Sequence, residues 1–255
     1  MKSSHKTIKA RRDKILELLK TENTLPVKEV SRELAVSEIT VRRDLIALEK
    51  MGLVQRAHGK AQIVQEIGTE DYNEEIEVLK NTIAKKAAEF VKDGNTLFIN
   101  TGSTALSSLK NLEDKRVTIV TNNVKVANLD HNPNSTVILS GGEIRFPKEA
   151  LVGDIAIDSF SKMSSDISII GCSGLSIENG ITTPVLHEAK INSLIIERTN
   201  GLVIVVADYR KIGFSSNFTS GTIKDINYLI TDTFASPEVI REIEKQGVQV
   251  IQVEV

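Results

Sequence analysis

The sequence carries a single cysteine, Cys172, in 255 residues. An internal disulfide is therefore excluded, and the composition fits a reducing compartment. No run of about 18 apolar residues occurs, so no membrane-spanning helix is expected. The opening stretch, Met1 to Arg12, is polar and basic and lacks the apolar core of a secretory signal, which makes the cytoplasm the expected location. Histidine is scarce and scattered. His187-Glu188 is not followed by a histidine at the spacing of a zinc helix, and His5, His58 and His131 stand apart, so neither a metal nor a cofactor is expected. There is no P-loop and no complete GxGxxG fingerprint, which weakens any nucleotide-binding reading.

What is present divides unevenly. The net charge of −2 conceals a basic first quarter. Residues 1–64 hold 14 Lys and Arg against 8 Asp and Glu, whereas the remainder holds 18 against 26. A small basic module joined to a larger acidic one suggests that the first faces a polyanion.

Ile8, Ile15, Leu16, Leu18 and Leu19 recur at helical spacing over residues 7–22. Pro26 suits the first turn of a second helix, with Thr24 as a possible cap. Ala35-Val36 makes a tight turn, and Ser37 caps a third helix whose apolar side is read as Ile39, Val41, Leu45 and Leu48. Two short strand-like runs, Leu53–Ala57 and Ala61–Val64, flank His58-Gly59-Lys60 as a hairpin. The organisation expected is a winged helix-turn-helix over residues 1–64, a polar linker over 65–72 and an α/β domain over 73–255.

Two short helices, a tight turn and a polar-faced third helix can set that third helix into the major groove of double-stranded DNA. Ser37, Glu38 and Thr40 are hydrogen-bonding groups near its start, and Arg42 and Arg43 can reach bases or phosphates. Arg56, His58 and Lys60 lie at the hairpin, placed to touch backbone or minor groove. Taken as an isolated pair, the two arginines read better as a solvated charged face paired with Asp44 and Glu49.

In the second part a long helix spans about Asn73 to Lys92, and strands then alternate with helices. The strands are Thr96–Asn100, Val117–Val120, Thr136–Leu139, Ile167–Ile170, Leu202–Ala207, Tyr228–Ile230 and Val248–Val253. Short runs rich in Val and Ile predict a buried, mostly parallel, doubly wound sheet. Ligands bind such sheets in the loops beyond the carboxyl ends of the strands. Thr101-Gly102-Ser103-Thr104 offers backbone N–H groups and hydroxyls to an anion, or simply caps a helix. Asn122, in Thr121-Asn122-Asn123, can bind hydroxyls or cap the next helix. Gly141-Gly142 lets a ligand approach the backbone, or makes an ordinary turn. Gly171-Cys172-Ser173-Gly174 follows the fourth strand, with Cys172 read as a small buried thiol.

The segment VSEITVRRDLIALEKMGLVQRAHGKA resembles the winged helix of the DeoR family of bacterial regulators. Arg11, Ile15, Leu19, Ser37, Thr40, Val41, Arg42, Arg43, Asp44 and Leu45 follow the family spacing. The resemblance implies that Leu25–Asp44 is the helix-turn-helix proper. Lys60 departs from it, replacing the second glycine that usually follows the wing histidine. The TGST loop, the TNN segment, SGGEIR, ADYRK and LITD extend the resemblance to the family's C-terminal domain, whose fold is related to ribose-5-phosphate isomerase and the CoA transferases. It implies a phosphorylated sugar or related metabolite as effector, with Thr101, Gly102, Ser103 and Thr104 holding the phosphate and Asp208 and Lys211 beside it. Tyr209-Arg210 stand where two serines are more common. Lys80 matches a recurrent lysine, although alone it reads equally as a solvated helix residue.

The function implied is a DNA-binding transcriptional regulator, a repressor of a carbohydrate-use operon, acting as a dimer or tetramer on paired half-sites and away from membranes. The rival is a sugar-phosphate isomerase with an accessory DNA-binding domain. Glu188 and Lys190, on one helix with His187, could serve there as acid and base, although binding a sugar hydroxyl or forming a surface pair is preferred. The neutral GCSG loop, where an isomerase would want carboxylates, argues against the rival.

Overall fold

The computed structural model describes residues 11–12, 14–19, 24–50, 54–57, 60–63 and 74–254. His58 and the expected linker 65–72 lie outside the described residues. The chain divides into two compact units, Met1–Asp71 and Tyr72–Val255.

In the first unit, residues 11–12 and 14–19 are helical and are called the first helix, followed by β1 (Thr24–Pro26), α1 (Val27–Glu33), α2 (Glu38–Lys50), β2 (Val54–Ala57) and β3 (Lys60–Ile63). Thr24 belongs to a strand rather than a cap. It pairs with Gln62 in β3, which also runs antiparallel to β2, and Pro26 itself stands at the start of α1. Leu34 closes α1, Ala35 turns the chain with φ of 50°, and Ser31 Oγ donates to the Val36 carbonyl at 2.6 Å. Ile15, Leu19, Val30, Val41, Leu45 and Leu48 form the core. Ile39 is not among them: it is 66% exposed. Val41, Leu45 and Leu48 repeat at steps of four and three and share one face, whereas Ile39, two residues before Val41, falls on the opposite side.

The second unit begins with α3 (Glu74–Ala88), β4 (Thr96–Ile99), α4 (Ser103–Ser107), β5 (Thr118–Thr121), β6 (Thr136–Leu139), β7 (Glu143–Arg145), β8 (Ala150–Val152) and α5 (Asp154–Ser161). It continues with β9 (Ser165–Gly171), β10 (Gly174–Ser176), β11 (Gly180–Thr183), α6 (Leu186–Glu197), β12 (Thr199–Val206), β13 (Phe218–Gly221), β14 (Tyr228–Asp232), α7 (Pro237–Lys245) and β15 (Gln249–Val253). Seven strands form one sheet in the order β15-β14-β12-β9-β4-β5-β6, every pair parallel. From β4 the chain steps outward to β6, then crosses back to β9 and proceeds the other way. The order therefore reverses between β4 and β9, the place where a doubly wound sheet opens a crevice.

Both faces of the sheet are covered. Leu97 and Ile99 pack in one cluster with Ile83 and Ala87 of α3, while Phe98 between them packs with Phe160 of α5 and Ile191 of α6. This two-residue alternation, apolar in both directions, explains the continuous Val and Ile runs. Two antiparallel additions complete the unit: the sheet β10-β11-β13 and the hairpin β7-β8.

Candidate functional site: recognition helix and sheet-edge crevice

The helix α2 offers two chemically distinct faces. Inward, Asp44 is buried and joins two arginines of the first helix: Arg11 Nε at 2.5 Å and Arg12 Nε at 3.0 Å. Asp44 is thus taken by the first helix, and the alternative in which it pairs with Arg42 and Arg43 does not hold. Outward, Arg42 and Arg43 are exposed, Arg42 meeting among the described residues the Glu38 carboxylate at 3.5 Å, a distant contact between two exposed groups that costs little to break. Ser37 Oγ accepts from the Thr40 backbone N–H at 3.3 Å and lies 2.9 Å from Thr40 Oγ1. Ser37, Glu38, Thr40, Arg42 and Arg43 are thus together at one end of one helix, with Ile39 among them. Arg56 lies within β2 and Lys60 begins β3, but their side chains lie outside the described residues, as does His58.

At the carboxyl edge of the large sheet, the reversal point is a contact between two backbones. The side chain of Asn100, just past β4, donates from Nδ2 to the Gly171 carbonyl at 2.8 Å. Its Oδ1 accepts from the N–H groups of Gly171 at 2.9 Å and Gly102 at 3.1 Å. A Cβ on Gly102 would stand 2.7 Å from the Gly171 Cα, so the two loops touch with no room for a side chain. The Gly102 N–H is engaged by Asn100, which leaves the hydroxyls of Thr101, Ser103 and Thr104 and the amides beyond Gly102 for a ligand. Thr104 Oγ1 is buried and meets no partner among the described residues. Asn122 is similar: Nδ2 donates to the Leu151 carbonyl at 3.1 Å, and Oδ1 is buried without a partner among the described residues.

Gly141 and Gly142 have φ of 71° and 109°. At Gly142 a Cβ would collide with the Val152 carbonyl oxygen. The close approach that needs glycine there is to β8, the strand that also receives Asn122. These two expected ligand contacts both help to dock the β7-β8 hairpin.

A cluster of charge forms where β12 ends. Asp208 is fully buried, and Arg210 grips it from Nε at 2.8 Å and from Nη2 at 3.0 Å, while Lys211 Nζ lies 3.6 Å away. Burial alone would raise the Asp208 carboxyl; the bonded guanidinium and Lys211 outweigh it and hold the group below its ordinary 3.8. Lys80 enters from α3 and is 1% exposed, with Glu77 Oε1 at 3.4 Å. Burial, then repulsion from Lys211, lowers its ammonium from 10.5 to about 8, opposed by Asp208. Cys172 also feels this cluster: burial pushes the thiol up to about 11, with Lys211 pulling the other way. Lys80, Asp208 and Lys211, far apart in sequence, are thus close enough to perturb one another, and the solvated reading of Lys80 is excluded by its burial.

The chain matches two family models, the DeoR-like helix-turn-helix domain over residues 11–66 and the DeoR C-terminal sensor domain over residues 77–233. The transcriptional regulator GolR of Listeria innocua is 33% identical over 246 residues, covering 94% of this chain and 96% of the relative. The chain belongs to the DeoR family. The glycerol-3-phosphate regulon repressor of Escherichia coli is 31% identical over 229 residues, covering 87% of this chain and 90% of the relative. Among solved structures, ribose 5-phosphate isomerase of Methanocaldococcus jannaschii is 19% identical over 53% of this chain and 54% of that one, with a TM-score of 0.38.

As a DeoR-family transcriptional regulator, the chain binds DNA and answers to a small molecule; it is not an enzyme. Among the described residues no helix is long and apolar enough to cross a membrane, and no cluster of His, Cys, Asp or Glu is placed to hold a metal. Sequence reasoning missed several residues that the structure places at these candidate sites. Asn100 is one; its position directly after a strand and before Thr101-Gly102 was the available signal. Ile39 could have been found from the wheel of α2. Asn192 and Lys148 had no sequence signal, because their partners lie 92 and 40 residues away.

Proposed function

We propose that this regulator is a cytoplasmic repressor of a carbohydrate-use operon, working as a dimer or tetramer whose α2 helices read paired half-sites. Ser37, Glu38, Thr40, Arg42 and Arg43 contact the operator, with Arg56, His58 and Lys60 on the wing. A phosphorylated sugar or related metabolite occupies the crevice between β4 and β9. Its phosphate meets Thr101, Gly102, Ser103 and Thr104, with Lys80 and Lys211 supplying charge, Asp208 ordering Lys211, and Asn122, Gly141 and Gly142 along the adjoining edge.

The observation that carries this reading is the convergence of two buried lysines on one buried aspartate at the carboxyl edge of the sheet. A metabolite phosphate placed there would meet the two ammonium groups with charge-assisted hydrogen bonds. An effector changes operator occupancy only by binding two conformations unequally. The test is operator binding by the full chain across titrations of glycerol 3-phosphate, ribose 5-phosphate and fructose 6-phosphate. At least one should release the operator from the parent, and Lys211→Ala should hold it at the same concentration. Response by none of them, or equal response from Lys211→Ala, would overturn the proposal.

A further inference from the structure

Opposite the lysine cluster, across the β4–β9 crevice, stands a second charged group that the phosphate does not need. Glu188 lies in the first turn of α6 and is 5% exposed. Thr183 Oγ1 donates to its Oε2 at 3.0 Å, and Lys148 Nζ meets the same oxygen at 3.2 Å. Among the described residues no donor is paired with Oε1. It is not among the fully enclosed side-chain oxygens left without a partner, so it keeps some exposure and can receive a donor from a ligand.

The fold fixes where this carboxylate stands. Asn192 follows Glu188 by four residues, one helical turn along the same face. Its Oδ1 accepts from Asn100 Nδ2 at 3.1 Å, so Asn192 touches the residue that clamps Gly102 to Gly171. The helix ends at Glu197 just before Thr199, which pairs with Ser165 at the amino end of the sheet. It therefore descends as the strands rise, and Glu188 lies beyond Asn192 on the outer side of the carboxyl edge. At 1.5 Å of rise per residue, the separation along the helix is about 6 Å. That is the reach from a phosphate to the hydroxyls of the chain that bears it.

Lys148 comes from the turn between β7 and β8. That hairpin is docked by Asn122, whose O accepts from the Leu151 N–H at 2.7 Å, and by Val124, whose N–H donates to the Glu149 carbonyl at 3.1 Å. Hairpin, helix and strand ends thus enclose the carboxylate from three directions. Asn122, whose Oδ1 is buried without a partner among the described residues, belongs to the same docking contact.

We propose that Glu188 is a specificity-determining residue of the effector site, accepting hydrogen bonds through Oε1 from hydroxyl groups of a phosphorylated polyol or sugar. Lys148 reaches over from the hairpin to hold the carboxylate in place. This rests on the phosphate reading above. A site built to accept hydroxyl hydrogens rejects an analogue that lacks them, because the bound analogue would cut the carboxylate off from water and leave it unmet. A purely structural Lys148–Glu188 clasp would show no such selectivity.

The experiment measures binding of glycerol 3-phosphate, ribose 5-phosphate, fructose 6-phosphate and inorganic phosphate to the full chain by calorimetry. In Glu188→Gln, which retains the shape, the best polyol or sugar phosphate should lose at least about 10-fold in affinity, the weight of one hydrogen bond to a charged group. Inorganic phosphate should change by less than about twofold, since it does not span that distance. Lys148→Met should give a smaller loss with the same selectivity, and it carries the test if Glu188→Gln fails to fold. Equal weakening of all four probes, or no weakening of any, in a folded variant would overturn the role of Glu188. If Lys211→Ala weakens every probe while Glu188→Gln weakens none, this inference alone falls. If the parent binds none of the probes at millimolar concentration, both readings fall.

Discussion

Replacing Lys80 with methionine should stabilise the unliganded sensor unit while removing its response to effector. Lys80 titrates at about 8 in the folded chain against 10.5 ordinarily, first because it is buried. At about 1.4 kcal/mol per pH unit, the fall amounts to about 3 kcal/mol opposing folding at neutral pH. The unfolded chain keeps the proton up to 10.5, the folded chain only to about 8. The penalty is therefore complete below pH 8 and fades as pH climbs toward 10.5. Methionine fills similar space without charge and gives up, among the contacts of Lys80, the one with Glu77, whose side chain is 33% exposed. That loss is about 1 kcal/mol, so the net gain at pH 7 is about 2 kcal/mol, or about 4–8 °C in Tm for a unit of this size.

Residues 1–71 contain no tyrosine and the chain no tryptophan, so tyrosine fluorescence during urea unfolding reports the sensor unit alone. Between pH 7 and pH 9 the advantage of Lys80→Met should shrink by about 1.4 kcal/mol. Cys172, whose thiol burial raises to about 11 from 9.0, destabilises the folded chain as pH passes 9, but it does so in both proteins and cancels in the difference. A Lys80→Met protein less stable than the parent at pH 7, or an advantage independent of pH, would refute the reasoning.

Asp44→Ala should loosen the first unit by about 2–3 kcal/mol, less than a fully buried pair because Arg11 and Arg12 can regain water; hydrogen exchange of the α2 amides checks it, and unchanged protection would count against the anchor. Ile39→Ala should lower operator affinity about 3- to 10-fold through loss of contact with a thymine methyl. Deoxyuridine in place of that thymine should cost the parent the same factor and the variant nothing; if no thymine in the site behaves so, Ile39 makes no such contact. Gly102→Ala forces a Cβ to within 2.7 Å of the Gly171 Cα, and strain of about 2–3 kcal/mol is expected in the same fluorescence-detected urea unfolding. A Gly102→Ala protein as stable as the parent would mean that the two loops can part freely.

The strands of the large sheet were legible because each carries its own period and composition; Thr136–Leu139 and the helix Pro237–Lys245 fall where the pattern puts them. The order of the strands was not, since parallel neighbours such as β4 and β9 are joined only by crossovers and leave no local mark. The antiparallel additions escaped for another reason: Gly174–Ser176 and Glu143–Arg145 are three residues each, too short to show alternation. At the crevice, sequence reasoning found the glycines and lysines but not what holds them. Gly142 looked open to a ligand and in fact admits Val152. Lys80 looked as much like a surface residue as a buried one, because an isolated lysine on a charged helix carries no sign of its depth.

In α2 the anchor and a proposed reader are consecutive residues: Arg43 faces solvent and Asp44 is locked to the first helix. Adding or deleting one residue between Ser37 and Asp44 would put a reading side chain into the core and leave the two anchoring arginines without their carboxylate. Substitutions at Glu38, Ile39, Arg42 or Arg43 touch no such joint. New operator preferences can therefore arise in this lineage by point changes on a helix of fixed register, and length variation in that segment should be absent from functional descendants.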